Sequence, residues 1–277
     1  MMRIYLALFL LVVSTAIFAQ DRPVFKIIGP DSLIMDIYQP AIRSEKKVPA
    51  MVFYFGGGWS GWNFDKFRPH AEYFSKRGLV TILVDYRVGK KHGTSPAASL
   101  RDAKSALRYV RSNAENLGID PDKIIACGGS AGGHLAAACA VIEGFNEPSD
   151  DLKISCIPNA LVLFNPVIDN GPGGYGYERV QEYYREFSPL HNLNSMAPPT
   201  LFMVGTNDRH VPVETAEYYQ RVMERMGLRC DLNIYEGEKH GFFNYHHFDM
   251  YKETLLDTDE FLQSLGYLDT NPKIKIE

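Results

Sequence analysis

The strongest constraint on the fold is a series of short, nearly continuous apolar runs rich in β-formers, with helical patterns between them. Ala50–Phe55, Leu79–Asp85, Lys123–Cys127, Ala160–Phe164, Thr200–Gly205 and Cys230–Tyr235 read this way, and Leu33–Tyr38 alternates weakly. A strand that is apolar at consecutive positions is covered on both faces, as in a parallel sheet. Between these runs, Ser99–Asn113 places Leu100, Ala103, Leu107 and Val110 on one face and Arg101, Lys104, Arg108 and Arg111 elsewhere. Ala131–Glu143 is small and apolar, so burial is expected, whereas Glu214–Met226 and Lys252–Leu265 are amphipathic. Strands alternating with helices predict an α/β fold, a doubly wound and mostly parallel sheet of about eight strands.

The first nineteen residues stand apart from this pattern. Arg3 precedes an apolar run from Ile4 to Phe18, broken by Ser14 and Thr15, and Ala19 leads into the polar Gln20-Asp21-Arg22-Pro23. A basic start, an apolar middle and a small residue at the cut form the pattern of a secretory signal peptide over residues 1–19. The alternative is an uncleaved anchor, but the run is shorter than the ~20 residues a spanning helix needs. Cleavage would leave residues 20–277 as one domain in the secreted or periplasmic space, with no membrane span. A net charge of −4 gives no reason to expect nucleic acid as a partner. The 4 cysteines, Cys127, Cys139, Cys156 and Cys230, match no zinc spacing. They read as free buried thiols, with one disulfide as the alternative. No metal or other cofactor is implied, and nothing in the pattern sets an oligomeric state.

The chemistry-bearing motifs lie at the ends of the apolar runs. Gly128-Gly129-Ser130-Ala131-Gly132 is a Gly-x-Ser-x-Gly pattern between the strand ending at Cys127 and the helix starting at Ala131. A sharp strand-to-helix turn forces strained angles on the serine, and glycine two residues to either side avoids clashes. Ser130 is therefore the candidate nucleophile. Val52-Phe53-Tyr54-Phe55 runs into Gly56-Gly57-Gly58-Trp59, where the N–H groups of Gly57 and Gly58 could join that of Ala131 around an oxyanion. Asp208 follows the strand Thr200–Gly205, with Val211-Pro212 beyond it, and His240 lies in the loop after Leu232–Tyr235. Asp208 could be a simple helix cap. The order Ser130, Asp208, His240, however, is one that an α/β sheet uses for a nucleophile, an acid and a base. His134 reads as a packing residue, His210 as a pocket-edge residue, and the adjacent His246 and His247 as no metal pair. Asp85 and Arg87 read as buttresses, and Asp102 as a helix-surface or buried-network residue.

These motifs together resemble the α/β-hydrolase superfamily, specifically its HGGG-type esterases and their secreted carbohydrate-esterase relatives (acetylxylan and feruloyl esterases). The resemblance runs from about Leu33 to Leu265 and rests on Phe55–Trp59, Asp85-Tyr86-Arg87, Gly128–His134, Gly205–Asp208 and Lys239–Phe242. It implies serine ester hydrolysis through an acyl-enzyme. Phe55 stands where the family has a histidine that braces the glycine loop through hydrogen bonds. The short stretch from Gln20 to Leu33 predicts no large N-terminal cap of the kind that lipase-like members carry.

Residues Asn165–Pro199 break the strand–helix rhythm with a Gly-, Tyr- and Pro-rich stretch, Gly171–Tyr177. A long loop after a sheet strand is expected to wall the active site. Trp59, Trp62, Tyr175 and Tyr177 are expected to ring its mouth and to stack on sugars or phenolic rings. The substrate expected is a small-molecule or oligosaccharide ester, an acetylated or feruloylated carbohydrate. The alternatives are a short-chain or aryl carboxylesterase and a catalytically dead binding protein on the same scaffold.

Overall fold

The computed structural model describes residues 20–40, 46–271 and 273–276. The expected leader, residues 1–19, lies outside the described residues. Among the described residues, nine strands form the sheet. They are β1 (Gln20–Asp21), β2 (Val24–Ile28), β3 (Asp31–Tyr38), β4 (Val48–Tyr54), β5 (Val80–Val84), β6 (Ile119–Gly129), β7 (Ala160–Phe164), β8 (Thr200–Gly205) and β9 (Cys230–Tyr235). Their order is β1-β3-β5-β4-β6-β7-β8-β9, with β2 paired to β3. From β5 through β9 all neighbours run parallel. β3 pairs antiparallel with β5, β1 and β2. The α/β expectation therefore stands, extended by an antiparallel edge.

Period-two alternation divides the core. Ala50, Val52 and Tyr54 of β4 join one apolar cluster, while Met51 and Phe53 join the other. The first cluster is covered by helices Pro96–Ser112, Ala131–Val141 and Val213–Arg225. The second is covered by helices Arg68–Lys76 and Phe248–Ser264. Every residue of Ala131–Val141 is buried, as its uniform apolarity requires. Among the described residues, no helix is long and apolar enough to cross a membrane. All four cysteines are free and buried. Burial pushes the Cys230 thiol up to about 12.

Two features of the edge were hidden in the sequence. β2 carries Lys26 at its centre, yet Lys26 Nζ is buried, 2.6 Å from Asp102 Oδ1 and 2.9 Å from Glu147 Oε2. Arg87 closes this network, its Nε 2.8 Å from Asp102 Oδ2. Lys104 and Arg108 also leave solvent. Lys104 Nζ donates to the carbonyls of Ile142 and Gly144, and Arg108 Nη1 lies 2.9 Å from Asp150 Oδ2. The segment after the Ala131–Val141 helix thus folds over the cationic side of Pro96–Ser112.

Across the other face, Arg77 and Asp259 tie helix Arg68–Lys76 to helix Phe248–Ser264. Arg77 Nε lies 2.5 Å and Nη2 2.9 Å from the two Asp259 oxygens, and the Tyr73 hydroxyl donates at 2.8 Å. Burial opposes ionisation of Asp259. The bonds from Arg77, Gln263 and Tyr73 outweigh that effect and hold its carboxyl below the ordinary value. Asp259→Ala should leave a buried guanidinium uncompensated, costing about 3–5 kcal/mol and lowering Tm by roughly 10 °C in a thermal melt. Because the folded pKa is depressed, this contribution is complete above the unfolded carboxylate range. It is lost as pH falls through the folded value, so the gap between wild type and variant should narrow in acid.

Candidate active site

The parallel strands point their carboxyl ends at one rim, and the chemistry-bearing loops gather there. Ser130 sits between β6 and the Ala131–Val141 helix at φ 55 and ψ −122, a conformation L residues adopt at a cost. Backbone bonds fix the turn. Ser130 N donates to Phe164 O at 3.0 Å, and Ser130 O accepts from His134 N at 3.0 Å and Val167 N at 3.1 Å. The glycines are steric necessities. A Cβ on Gly128 would lie 2.3 Å from the Gly132 carbonyl carbon, and one on Gly132 would lie 2.0 Å from the Tyr54 oxygen.

Ser130, His240 and Asp208 form one hydrogen-bonded chain. His240 Nε2 is 2.8 Å from Ser130 Oγ, and Nδ1 is 2.7 Å from Asp208 Oδ2. The Asp208 side chain is fully buried. Burial alone would raise its pKa. The hydrogen bond and charge of His240, with the N–H groups of His210 and Val211 on Oδ1 at 2.8 and 3.0 Å, reverse that and lower it. Asp208 therefore receives backbone N–H groups, as a capping residue would, and carries the histidine as well. Gly241 N, beside His240, donates to Asn165 Oδ1 at 2.8 Å.

The glycine loop lies opposite. Gly57 O accepts from Ser60 N at 3.1 Å and Gly61 N at 2.8 Å. In a trans peptide C=O and N–H point opposite ways, so these bonds turn the Gly58 N–H away from that turn. The brace expected to be missing at Phe55 comes from elsewhere. Its ring stacks on Tyr86, centroids 4.0 Å apart and 13° from parallel, and the Tyr86 hydroxyl donates to Phe55 O. Arg179 Nη1 donates to Gly58 O at 2.6 Å, a clamp from the 165–199 insertion. Tyr86 lies in the Asp85-Tyr86-Arg87 motif, but its bracing role carries no sequence signal, and Arg179, a lone arginine in the insertion, carries no spacing signal at all.

A cavity of about 340 Å³ opens over Ser130 and His240. Its lining includes Gly57, Gly58, Trp62, Lys66, Tyr175 and Asn244. Trp62 is positioned there by its indole N–H, 2.7 Å from Asp85 Oδ1, and its ring is 45% exposed. Tyr175 and His210 also line a neighbouring cavity of about 520 Å³, bounded by the insertion and residues 209–215. His210 packs edge-on against both His240 and Tyr175, at 4.8 and 4.9 Å. Two expected mouth residues are elsewhere. Trp59 is 1% exposed, packed against His134, Tyr175 and Phe187, because the insertion folds over it. Tyr177 does not line the Ser130 cavity and packs on Tyr184 instead. His134 is buried, its Nε2 2.9 Å from Phe187 O, and burial pulls its pKa down to about 3. Among the described residues, no group of three His, Cys, Asp or Glu side chains could hold a metal.

Comparison with solved structures places this geometry in a lineage. The apo form of Thermogutta terrifontis esterase 2 superposes with a TM-score of 0.87 and 41% sequence identity, over 92% of this chain and 97% of that one. The chain belongs to the α/β-hydrolase esterases. Forms of that esterase bound to propionate and phosphorylated by paraoxon give TM-scores of 0.85 and 0.86. The family described as BD-FAE matches residues 35–170, and the prolyl oligopeptidase family matches residues 169–264. Among curated relatives of this chain, an acetylxylan esterase of Xylanibacter ruminicola is 28% identical, over 76% of this chain and 43% of that protein. A probable isoprenylcysteine alpha-carbonyl methylesterase of Arabidopsis thaliana is 23% identical, over 74% and 48%. The chain spans about half the length of the curated relatives it matches.

Proposed function

We propose that the protein is a serine esterase with Ser130 as nucleophile, His240 as base and Asp208 as the acid, acting on acylated carbohydrate. The carrying observation is the chain from Ser130 Oγ through both His240 nitrogens to the buried Asp208 carboxylate. Ser130 Oγ attacks the ester carbonyl while His240 Nε2 takes its proton. The oxyanion that forms is met by the N–H groups of Gly57, Gly58 and Ala131. Collapse expels the alcohol, which receives the proton from His240 and leaves an acyl-enzyme. Water then attacks, giving its proton to His240, and the acid departs as Ser130 Oγ recovers that proton. Asp208 orients the imidazole and stabilises its cation throughout. Its lowered pKa keeps it ionised below the ordinary carboxylate range.

The carbohydrate reading is supported by the exposed Trp62 ring at the cavity mouth, by the acetylxylan esterase relative and by the export pattern of residues 1–19. A second reading, a short-chain carboxylesterase, is favoured by the likeness to an esterase solved with propionate and with butyrate. Purified protein should hydrolyse p-nitrophenyl acetate and release acetate from acetylated xylan oligosaccharides faster than ferulate from feruloylated ones. Turnover of p-nitrophenyl acetate with no release from either oligosaccharide would leave the short-chain reading. No turnover of any ester would refute the enzyme.

A further inference from the structure

Lys66 follows the glycine loop in the turn Phe64–Phe67, and its side chain lines the cavity over Ser130. It is the one Lys, Arg, Asp or Glu among the described residues of that lining. The acids around the site are committed to other partners. Asp65, next in sequence, pairs with Arg68, Asp85 accepts the Trp62 indole N–H, and Asp208 carries His240. Among the described residues Lys66 itself makes no ion pair or hydrogen bond through its ammonium group. Burial lowers its pKa, the direction expected of a cation partly removed from water with nothing opposite it. A lysine that serves solubility extends its ammonium into solvent. This one is half-buried beside the nucleophile. Asn165, also in the lining, has an Nδ2 donor with no partner among the described residues. The cavity thus presents a cation, one unpaired amide donor at Asn165 and no carboxylate.

We propose that Lys66 binds a carboxylate carried by the substrate, so that the preferred ester bears an anionic group besides the bond to be cut. The proposal rests on the esterase reading and narrows its substrate class. Two sources share this chemistry. The carboxylate could belong to the acyl half, as in a half-ester of a dicarboxylic acid, or to the alcohol half, as in an acetylated uronic acid. Pairing in a partly desolvated cavity should favour the anionic ester by about tenfold in kcat/KM, and less at high salt.

The test measures the ratio of kcat/KM for an anionic ester to that for its neutral counterpart. One arm compares monomethyl succinate with methyl butyrate, and the other compares acetylated glucuronic acid with acetylated glucose. Lys66→Met should lower the ratio about tenfold in one arm, which names the half that carries the charge, and Lys66→Arg should keep most of it. In wild type the same ratio should shrink as ionic strength rises, an outcome that needs no variant to fold. A ratio that changes less than threefold in both arms, or one that does not respond to salt in wild type, overturns the proposal. Hydrolysis of the neutral esters tests the esterase reading separately, so the two can fail independently.

Discussion

Ser130→Ala should abolish ester hydrolysis, lowering kcat by about 10⁴–10⁶ while the thermal melt stays close to wild type. Among the described residues the side chain makes a single hydrogen bond, to His240 Nε2, whereas the turn is fixed by backbone bonds to Phe164, His134 and Val167. Removing Oγ therefore deletes the proposed nucleophile and leaves the scaffold. The strained φ of 55 remains, since alanine tolerates it no better and no worse than serine. Paraoxon gives a second readout. Wild type should be inactivated and carry a phosphoryl adduct on the peptide containing Ser130, and the variant should carry none. A loss of less than tenfold, or an adduct at the same peptide in Ser130→Ala, would move the nucleophile elsewhere.

The parts legible in the sequence were those governed by local pattern. Apolar runs covered on both faces gave five of the parallel elements their places, from Ala50–Phe55 to Thr200–Gly205, because burial on two faces leaves few polar positions to confuse the reading; β9, at the sheet edge, carries Asp231 and Asn233 and is buried only at Cys230 and Tyr235. The elbow was legible for a stereochemical reason. Few residue orders satisfy a positive φ flanked by two contacts under 2.5 Å from any added Cβ. β2 was not legible, because Lys26 interrupts its pattern, and its burial depends on Asp102 and Glu147, far away in the chain. Trp59 and Tyr177 failed for a related reason. Both are aromatics near the active-site loops, and their exposure is decided by how the insertion packs, which no short-range spacing encodes. Gly176 shows the closeness of that packing, since a Cβ there would lie 2.8 Å from Trp59 Cζ3. Phe55 cannot make the hydrogen bonds of the family histidine, and the stacked Tyr86 ring and its hydroxyl brace the loop instead, from a motif whose residues the sequence marks only as buttresses.

Gly132→Ala should be the most damaging methyl addition in the protein. The new Cβ would sit 2.0 Å from Tyr54 O and 2.5 Å from Phe55 O. Both obstacles are backbone, so no rotamer change relieves them. Either the Ala131–Val141 helix tilts off the sheet or the end of β4 moves. Overpacking a rigid core costs about 1–3 kcal/mol and more where backbone must shift, so Tm should fall by at least about 6 °C. Activity should fall further than stability. Phe55 O is the atom that Tyr86 anchors, and it leads directly into Gly56-Gly57-Gly58. Displacing it by a fraction of an ångström misplaces the donors proposed for the oxyanion, and loss of one such donor costs about 10²–10³ in turnover. Gly144→Ala is the control, because nothing lies within 4 Å of its added Cβ and its φ is ordinary. That substitution should be neutral or stabilise the chain by a few tenths of a kcal/mol, through lower entropy of the unfolded state. Equal melts and equal turnover for the two variants would mean that helix and sheet do not meet at Gly132 as closely as the elbow requires.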